Sequence, residues 1–360
     1  MKPGFTLQVC VIGAGLAGLA CAVAASAQGA RVEVLDERPT LSAHPTHVNV
    51  VPNLLRDLVT LGVAQECVRA GFPYRGIRVL DGSGRTCFEL PTPRLAPAGY
   101  PEALGMAHAD LTHILARAAQ ERGVALQMQT RVETLVWRQG KAVLGLSGGR
   151  ERVPDLILLA TGARSPLRLA ALGCSPAPSC LGPDWTYAQL PRPPGLDHAM
   201  LVLDSGGQRA FVVPIGPSAV GIALTRGEDA RAMPPVLQPL LAHLTPATPR
   251  VERPLLAGLL PAPWHRGALV CVGECAHALP PHFGQSAAQA LEDAVVLKAL
   301  LAQGLAPTAL AQRFTERRHA RASQVYDIVT DAARSQVSPN EATDLHDLFH
   351  RLSSLVAEPA

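Results

Sequence analysis

VCVIGAGLAGLACAVAASAQGARVEVLDER (Val9–Arg38) sets three glycines between an apolar run and an alanine-rich segment. Leu7 to Ile12 form a continuous apolar run, partly β-branched, as expected of a strand covered on both faces. After the glycines, the alanine-rich stretch reads as a helix to about Gln28, and RVEVL from Arg31 reads as a second strand. A strand, a helix and a parallel strand in succession imply a right-handed crossover. In the pattern G-x-G-x-x-G the first glycine allows a tight turn, the second lets backbone approach a pyrophosphate, and the third lets helix and strand pack closely. A glycine turn of this kind can also serve packing alone. Here it closes a strand, opens a helix and is followed by Asp36, 23 residues after Gly13, which favours a dinucleotide site. Phosphates would lie over Gly13, Ala14, Gly15, Leu16, Ala17 and Gly18 at the helix N-terminus, with Asp36, Glu37 and Arg38 near a ribose.

The same stretch is apolar enough to resemble a leader or a membrane span. Its three glycines and the strand RVEVLDER that follows predict instead a soluble, cytoplasmic protein with no membrane insertion. Of 360 residues, 48% are hydrophobic and 17% charged, which is the composition of a globular chain. A net charge of +3, with no basic tract, gives no reason to expect nucleic acid. The eight cysteines follow no disulfide framework and read as reduced thiols. Cys271 and Cys275 lack a second pair at zinc-like spacing, so no metal site is expected.

Further along, VPNLLRDLVTLGV carries Pro52 at a helix start, and GIRVLDGSGRTCFEL reads as a hairpin turning at Asp81 to Gly84. A helix from Ala109 to Gly123 precedes strands in VALQMQ, RVETLVW and KAVLGLS, and the apolar run LILLATG returns the chain to the first sheet. AMLVLD, RAFVVPIG and AVGIALT then read as antiparallel strands between proline-rich segments, which look like crossings between two domains. From Gln285 the chain is helical, with breaks expected near Gly304 and Pro339. No internal repeat is visible.

Four segments resemble the FAD-dependent aromatic hydroxylases, single-component monooxygenases of the para-hydroxybenzoate hydroxylase type. They are GAGLAG with Asp36, ADLTHIL near Asp110, DLILLATGARSPLR from Asp155, and VGECAHALPPHFGQSAAQALEDA from Val272. The likeness spans nearly the whole chain. It implies an α/β fold in which a Rossmann-like FAD-binding domain (1–75, 106–170, 264–305) is interleaved with an antiparallel-sheet substrate domain (76–105, 171–263), followed by C-terminal helices (306–360). The implied reaction uses FAD, NAD(P)H as electron donor and dioxygen to hydroxylate a small aromatic substrate through a hydroperoxide of the flavin. Carried over by position, Gly273 and Glu274 meet the ribityl chain, and Pro281, Gly284, Gln285, Ser286, Ala287 and Ala288 surround the ring. His108, Val132, Thr161 and Gly162 complete the implied cofactor contacts.

This chain departs from that pattern at several positions. Glu274 stands for aspartate, Thr161 for the aspartate of the usual DG pair, His108 for an arginine before ADL, and Ser286 for a second glycine. No arginine lies between Arg38 and His47, where one often meets the pyrophosphate. Each replacement at Glu274, Thr161 and His108 keeps a hydrogen-bonding group, so the site reads as adapted. In THVNVVP, alternation puts His47 and Asn49 on one face. His47 either meets flavin or substrate or is satisfied by local backbone; His282 either faces substrate or does not. These two are the candidate catalytic residues. Asn49, Tyr187, Met200, Phe211 and Pro214 are candidate substrate contacts, though core packing also accounts for the last four. Arg317, Arg318, His319 and Arg321 read as a solvated or domain-bracing face. The alternatives are an FAD oxidoreductase or oxidase that does not hydroxylate, and a flavin-binding regulatory protein. The sequence assigns no oligomeric state.

Overall fold

The computed structural model describes residues 6–41, 43–204, 207–225, 233–337 and 344–360; the break expected near Pro339 lies outside them. Helices are α1 (Leu16–Ser26), α2 (Pro52–Leu61), α3 (Ala64–Ala70), α4 (His108–Glu121), α5 (Arg168–Leu172), α6 (Gln238–Leu241), α7 (Gln285–Leu301), α8 (Pro307–Val337) and α9 (Leu345–Ala357).

The opening stretch builds the centre of a six-stranded sheet. Gln8–Ile12 lies between Leu156–Leu159 and Arg31–Leu35, and the parallel set extends to Leu269–Cys271 on one side and Ala125–Gln127 on the other. His265–Arg266 adds a short antiparallel edge. On α1, Gly18 through Ala25 are all buried, because α4 and α7 pack against it as well as the sheet. A helix covered on most of its circumference needs small side chains, which explains its alanines and glycines.

The second sheet has seven strands, in the order Arg250–Arg253, Trp185–Pro191, Ala219–Thr225, Gly207–Pro214, Ala199–Asp204, Ile77–Leu80 and Thr86–Leu90. It is antiparallel except where Ala199–Asp204 meets Ile77–Leu80 in parallel. Register settles which side chains share a face. Leu201 pairs with Phe211, Phe211 with Ala223, and Ala223 with Tyr187, so these four form one row. Met200 and its partner Val212 are one residue out of that row, and therefore point the other way. They pack with Ile222, Leu237 and Leu240. A small sheet joins the two units: His47–Val50 pairs with Ala103–Ala107, which also pairs with Phe72–Tyr74.

Under the first sheet lies a buried charge network. Arg318 has no exposed side-chain surface. It donates to Asp293 Oδ1 at 2.6 Å and Gln289 Oε1 at 2.9 Å, and also to Glu292. Asp293 Oδ2 accepts from the Gly273 backbone N–H at 2.7 Å and lies 2.8 Å from His277 Nε2. Arg321 donates to Glu292 at 2.9 Å. Burial opposes ionisation of Asp293, but His277 and Arg318 outweigh it and pull its pKa down to about 2. Of the two readings of this face, solvated or domain-bracing, the solvated one is corrected for Arg318, whose charge is internal. His277 is part of the same network.

Candidate functional site

One cavity of about 780 Å³ runs between the two sheets. At one end it is walled by Ala14, Gly15, Leu16 and Ala17 from the glycine turn, by Gly162 and Arg164 after Leu156–Leu159, and by Glu274, Ser286 and Ala287. At the other end stand His47, Asn49, Trp185, Tyr187, Leu201, Phe211, Ala223, His282 and Phe283.

Two helix N-termini open onto this space. The N-cap of α1 is Gly15, with extended backbone and no side-chain cap, and that of α7 is Gly284, at φ 68°, also without one. Their first N–H groups and the positive ends of both dipoles are therefore left for a ligand. A Cβ on Gly15 would meet nothing within 4 Å, so its backbone faces open cavity. Gly13 and Gly18 do a different job: a Cβ on Gly18 would come within 1.9 Å of the Gly13 carbonyl oxygen, and one on Gly13 within 2.4 Å of the Ala160 oxygen. They fix the turn against the sheet rather than line the cavity. Phe283, just before α7 and on the cavity wall, holds φ at 56°, an uncommon conformation for a bulky non-glycine residue.

Asp36 is buried, and its carboxylate accepts from the Ala14 N–H at 2.7 Å and from Arg38 Nε at 2.8 Å. Burial raises its pKa, but the bonds from Arg38 and Ala14 win and hold it below the usual carboxylate range. Arg38 lines the cavity, and Glu37 is exposed.

The altered positions each find a partner. The Ser286 hydroxyl donates to Glu274 Oε1 at 3.3 Å, so the longer acid and the serine meet across the start of α7. Thr161 Oγ1 bonds Ser165 and lies 3.8 Å from Cys275 Sγ. That turns its side chain from the cavity, which the neighbouring Gly162 faces instead. His108 lines the cavity, with Nδ1 3.3 Å from Thr112 Oγ1. Burial first, then Arg253, His44 and Arg38, lower its pKa to about 4, so it is neutral at pH 7. Glu274→Gln, which keeps shape and removes charge, is expected to raise the FAD dissociation constant about tenfold or more, and Ser286→Ala about threefold, read by flavin fluorescence quenching. Equal affinities in all three proteins would show that the pair does not touch the cofactor.

Of the other expected cofactor contacts, Pro281, Gly284 and Ala287 lie on the cavity wall. Val132, Gly273, Gln285 and Ala288 lie behind it: Val132 is buried in its strand, Gly273 donates to Asp293, Gln285 bonds Asn53, and Ala288 is fully buried. Among the substrate candidates, Asn49, Tyr187 and Phe211 line the cavity, whereas Met200 and Pro214 do not. Pro214 pairs with Val220, out of the Phe211 row, and its carbonyl abuts Gly105. His47 stacks on Phe211 at 6.1 Å and tilts against Tyr187 at 5.8 Å. Its Nδ1 is buried without a protein partner, and burial lowers its pKa to about 4. His282 sets its ring edge-on to Trp185 at 5.7 Å. Sequence reading missed His44, Trp185, Arg164 and Arg253 on the same wall; Trp185, beginning the antiparallel block two residues before Tyr187 on the same face, was the one with a visible signal.

A glycine-turn phosphate cradle, a second uncapped helix and an aromatic chamber in one cavity define an FAD-dependent oxidoreductase. Residues 6–174 and 255–329 match the family described as FAD binding domain, and the chain belongs to that family. It is 28% identical over 349 residues to 6-hydroxynicotinate 3-monooxygenase of Bordetella bronchiseptica, covering 90% of this chain and 91% of that one. It is 26% identical to the FAD-dependent urate hydroxylase of Klebsiella pneumoniae, over 91% of this chain and 89% of the other. The fold is also that of Klebsiella pneumoniae HpxO complexed with FAD and uric acid, with a TM-score of 0.82, 21% identity, and coverage of 99% and 95% of the two chains. Among the described residues no helix is long and apolar enough to cross a membrane.

Proposed function

We propose that this protein uses NAD(P)H and dioxygen to hydroxylate a small, electron-rich aromatic or heteroaromatic compound, as the names of its relatives suggest, and that it does so in the cytoplasm. The observation that carries the reading is the joining of the phosphate cradle and the aromatic chamber in a single cavity. Bound FAD supplies the redox chemistry and the activation of oxygen; the chain binds, orients and shields. Backbone N–H groups of α1 would hold the pyrophosphate, and those of α7 would stabilise the negative charge the ring gains on reduction. Tyr187, Phe211, Leu201 and Trp185 clamp a planar substrate and exclude water. Neutral His47, on the wall of the chamber, hydrogen-bonds a substrate hydroxyl through its ring. The division into an FAD-binding domain (1–75, 106–170, 264–305), a substrate domain (76–105, 171–263) and C-terminal helices (306–360) belongs to the same reading.

The test is NAD(P)H oxidation under a panel of hydroxylated aromatics and heteroaromatics, with ¹⁸O₂ incorporation followed by mass spectrometry. Substrate-triggered consumption and a labelled product are expected, with His47→Gln slower by about a hundredfold or more at unchanged FAD affinity. Consumption yielding only hydrogen peroxide would point to an oxidase, and bound FAD with no consumption to a regulatory flavoprotein.

A further inference from the structure

A bound pyrophosphate brings two negative charges to the N-terminus of α1, whose dipole offers only about half a positive charge. Of the cations on the cavity wall, Arg164 stands beside Gly162 and is exposed, and the other residues near the turn add little. Arg38 is committed to Asp36 through Nε at 2.8 Å and Nη2 at 2.7 Å, so the pair is close to neutral. His108, at the position where the resembling hydroxylases carry an arginine, is uncharged at pH 7. Between Arg38 and His47 there is no arginine at all.

A further guanidinium lines the cavity from another part of the chain, and its charge acts on both His108 and Tyr187. Arg253 ends the edge strand of the seven-stranded sheet, opposite Trp185 in register. It lines the same cavity as Ala14–Ala17, Arg38, His44 and His108. Its side chain is exposed, and among the described residues no carboxylate lies within ion-pair distance of it. Its charge is felt at His108, where it is the largest electrostatic influence after burial, ahead of His44 and Arg38. Arginine stays charged throughout the working pH range and presents the planar donor pair that fits phosphate oxygens.

We propose that Arg253, a residue of the substrate-side sheet, is a cation that binds the FAD pyrophosphate, adding its charge across the cavity to that of the cradle. The proposal rests on the FAD reading of the site. It makes the cofactor a bridge between the two sheets, so that the antiparallel unit contributes to cofactor affinity as well as to the substrate chamber.

The experiment compares the wild-type protein, freed of flavin, with Arg253→Gln and with the double variant H108R/R253Q. Each is titrated by calorimetry with FAD, with ADP, which carries the pyrophosphate without the flavin, and with riboflavin, which carries the flavin without phosphate. In R253Q the dissociation constants for FAD and ADP are expected to rise about ten- to a hundredfold, the loss of one charge-assisted hydrogen bond, while riboflavin is unaffected. The double variant, with its arginine restored at position 108, is expected to regain most of the affinity, which a merely structural role for Arg253 would not produce. Unchanged FAD and ADP binding in R253Q would overturn the proposal, and would do so equally if NAD(P)H or an anionic aromatic lost affinity instead, since Arg253 would then serve that ligand. An equal loss for riboflavin would also overturn it, by placing the arginine against the ring. Wild-type protein that takes up no FAD would overturn the parent reading, an outcome distinct from wild-type uptake with an unaltered R253Q.

Discussion

Gly18→Ala is expected to yield a protein that is mostly insoluble or markedly less stable, and that retains no FAD. The added methyl would sit 1.9 Å from the Gly13 carbonyl oxygen and 3.2 Å from Val11 Cγ1. Neither neighbour can retreat: Gly13 is pinned at φ 108°, and its N–H donates to the Leu35 carbonyl at 2.8 Å. Relief requires α1 to lift from the sheet, at a cost of about 3 kcal/mol or more. Gly15→Ala is the informative partner. Its Cβ would meet no protein atom within 4 Å, and its φ of −83° suits any residue. The thermal midpoint should therefore match wild type, while the methyl intrudes where phosphate must lie and weakens FAD at least tenfold. Differential scanning fluorimetry and FAD titration on both variants separate the two roles. Equal destabilisation by both would mean that Gly15 also packs against protein, and equal FAD affinity in G15A would move the cofactor off this turn.

Arg318→Met is expected to cost about 3–5 kcal/mol, because Glu292 and Asp293 would lose the buried guanidinium they share and keep only Arg321 and His277 beside them. Against a total stability of about 5–15 kcal/mol that is a large share. The pH dependence gives the sharper signature. A carboxylate whose folded-state pKa is depressed to about 2, as that of Asp293 is, contributes stability that is full above the unfolded value near pH 4 and fades as pH falls toward 2. Without Arg318, burial raises the Asp293 pKa, so the acid unfolding midpoint should move to higher pH. Because Asp293 also holds the Gly273 N–H, FAD affinity should fall in the same variant. An unshifted acid transition would show that Arg318 and Asp293 are not coupled.

The glycine turn, α1, α2 and α7 could be read from the sequence because local chemistry specifies them: glycines where backbones touch, Pro52 at a helix start, apolar residues at helical spacing. The separation of Met200 from Phe211 could not be read, since it depends on which residues of two strands stand opposite each other. The burial of Arg318 was not read although a signal existed. Ala311, Phe314, Ala322, Val325 and Val329 are all fully buried, and Arg318 falls at the helical spacing that continues their stripe. Its charge concealed its position. Arg253 lay beyond reach for another reason: its neighbours at His108 and Arg38 are more than a hundred residues away, and only the fold brings them together.

The order in which the sheet is filled bears on how the protein is made. Leu156–Leu159 pairs on one side with Gln8–Ile12, near the start of the chain, and on the other with Leu269–Cys271, while the exposed flank of α1 is closed by α7. A nascent chain that has left the ribosome only as far as the antiparallel strands therefore holds a half-finished parallel sheet and an alanine-rich helix covered by α4 but not by α7. The cavity that joins the glycine turn to α7 exists only once the chain has been made beyond Leu301.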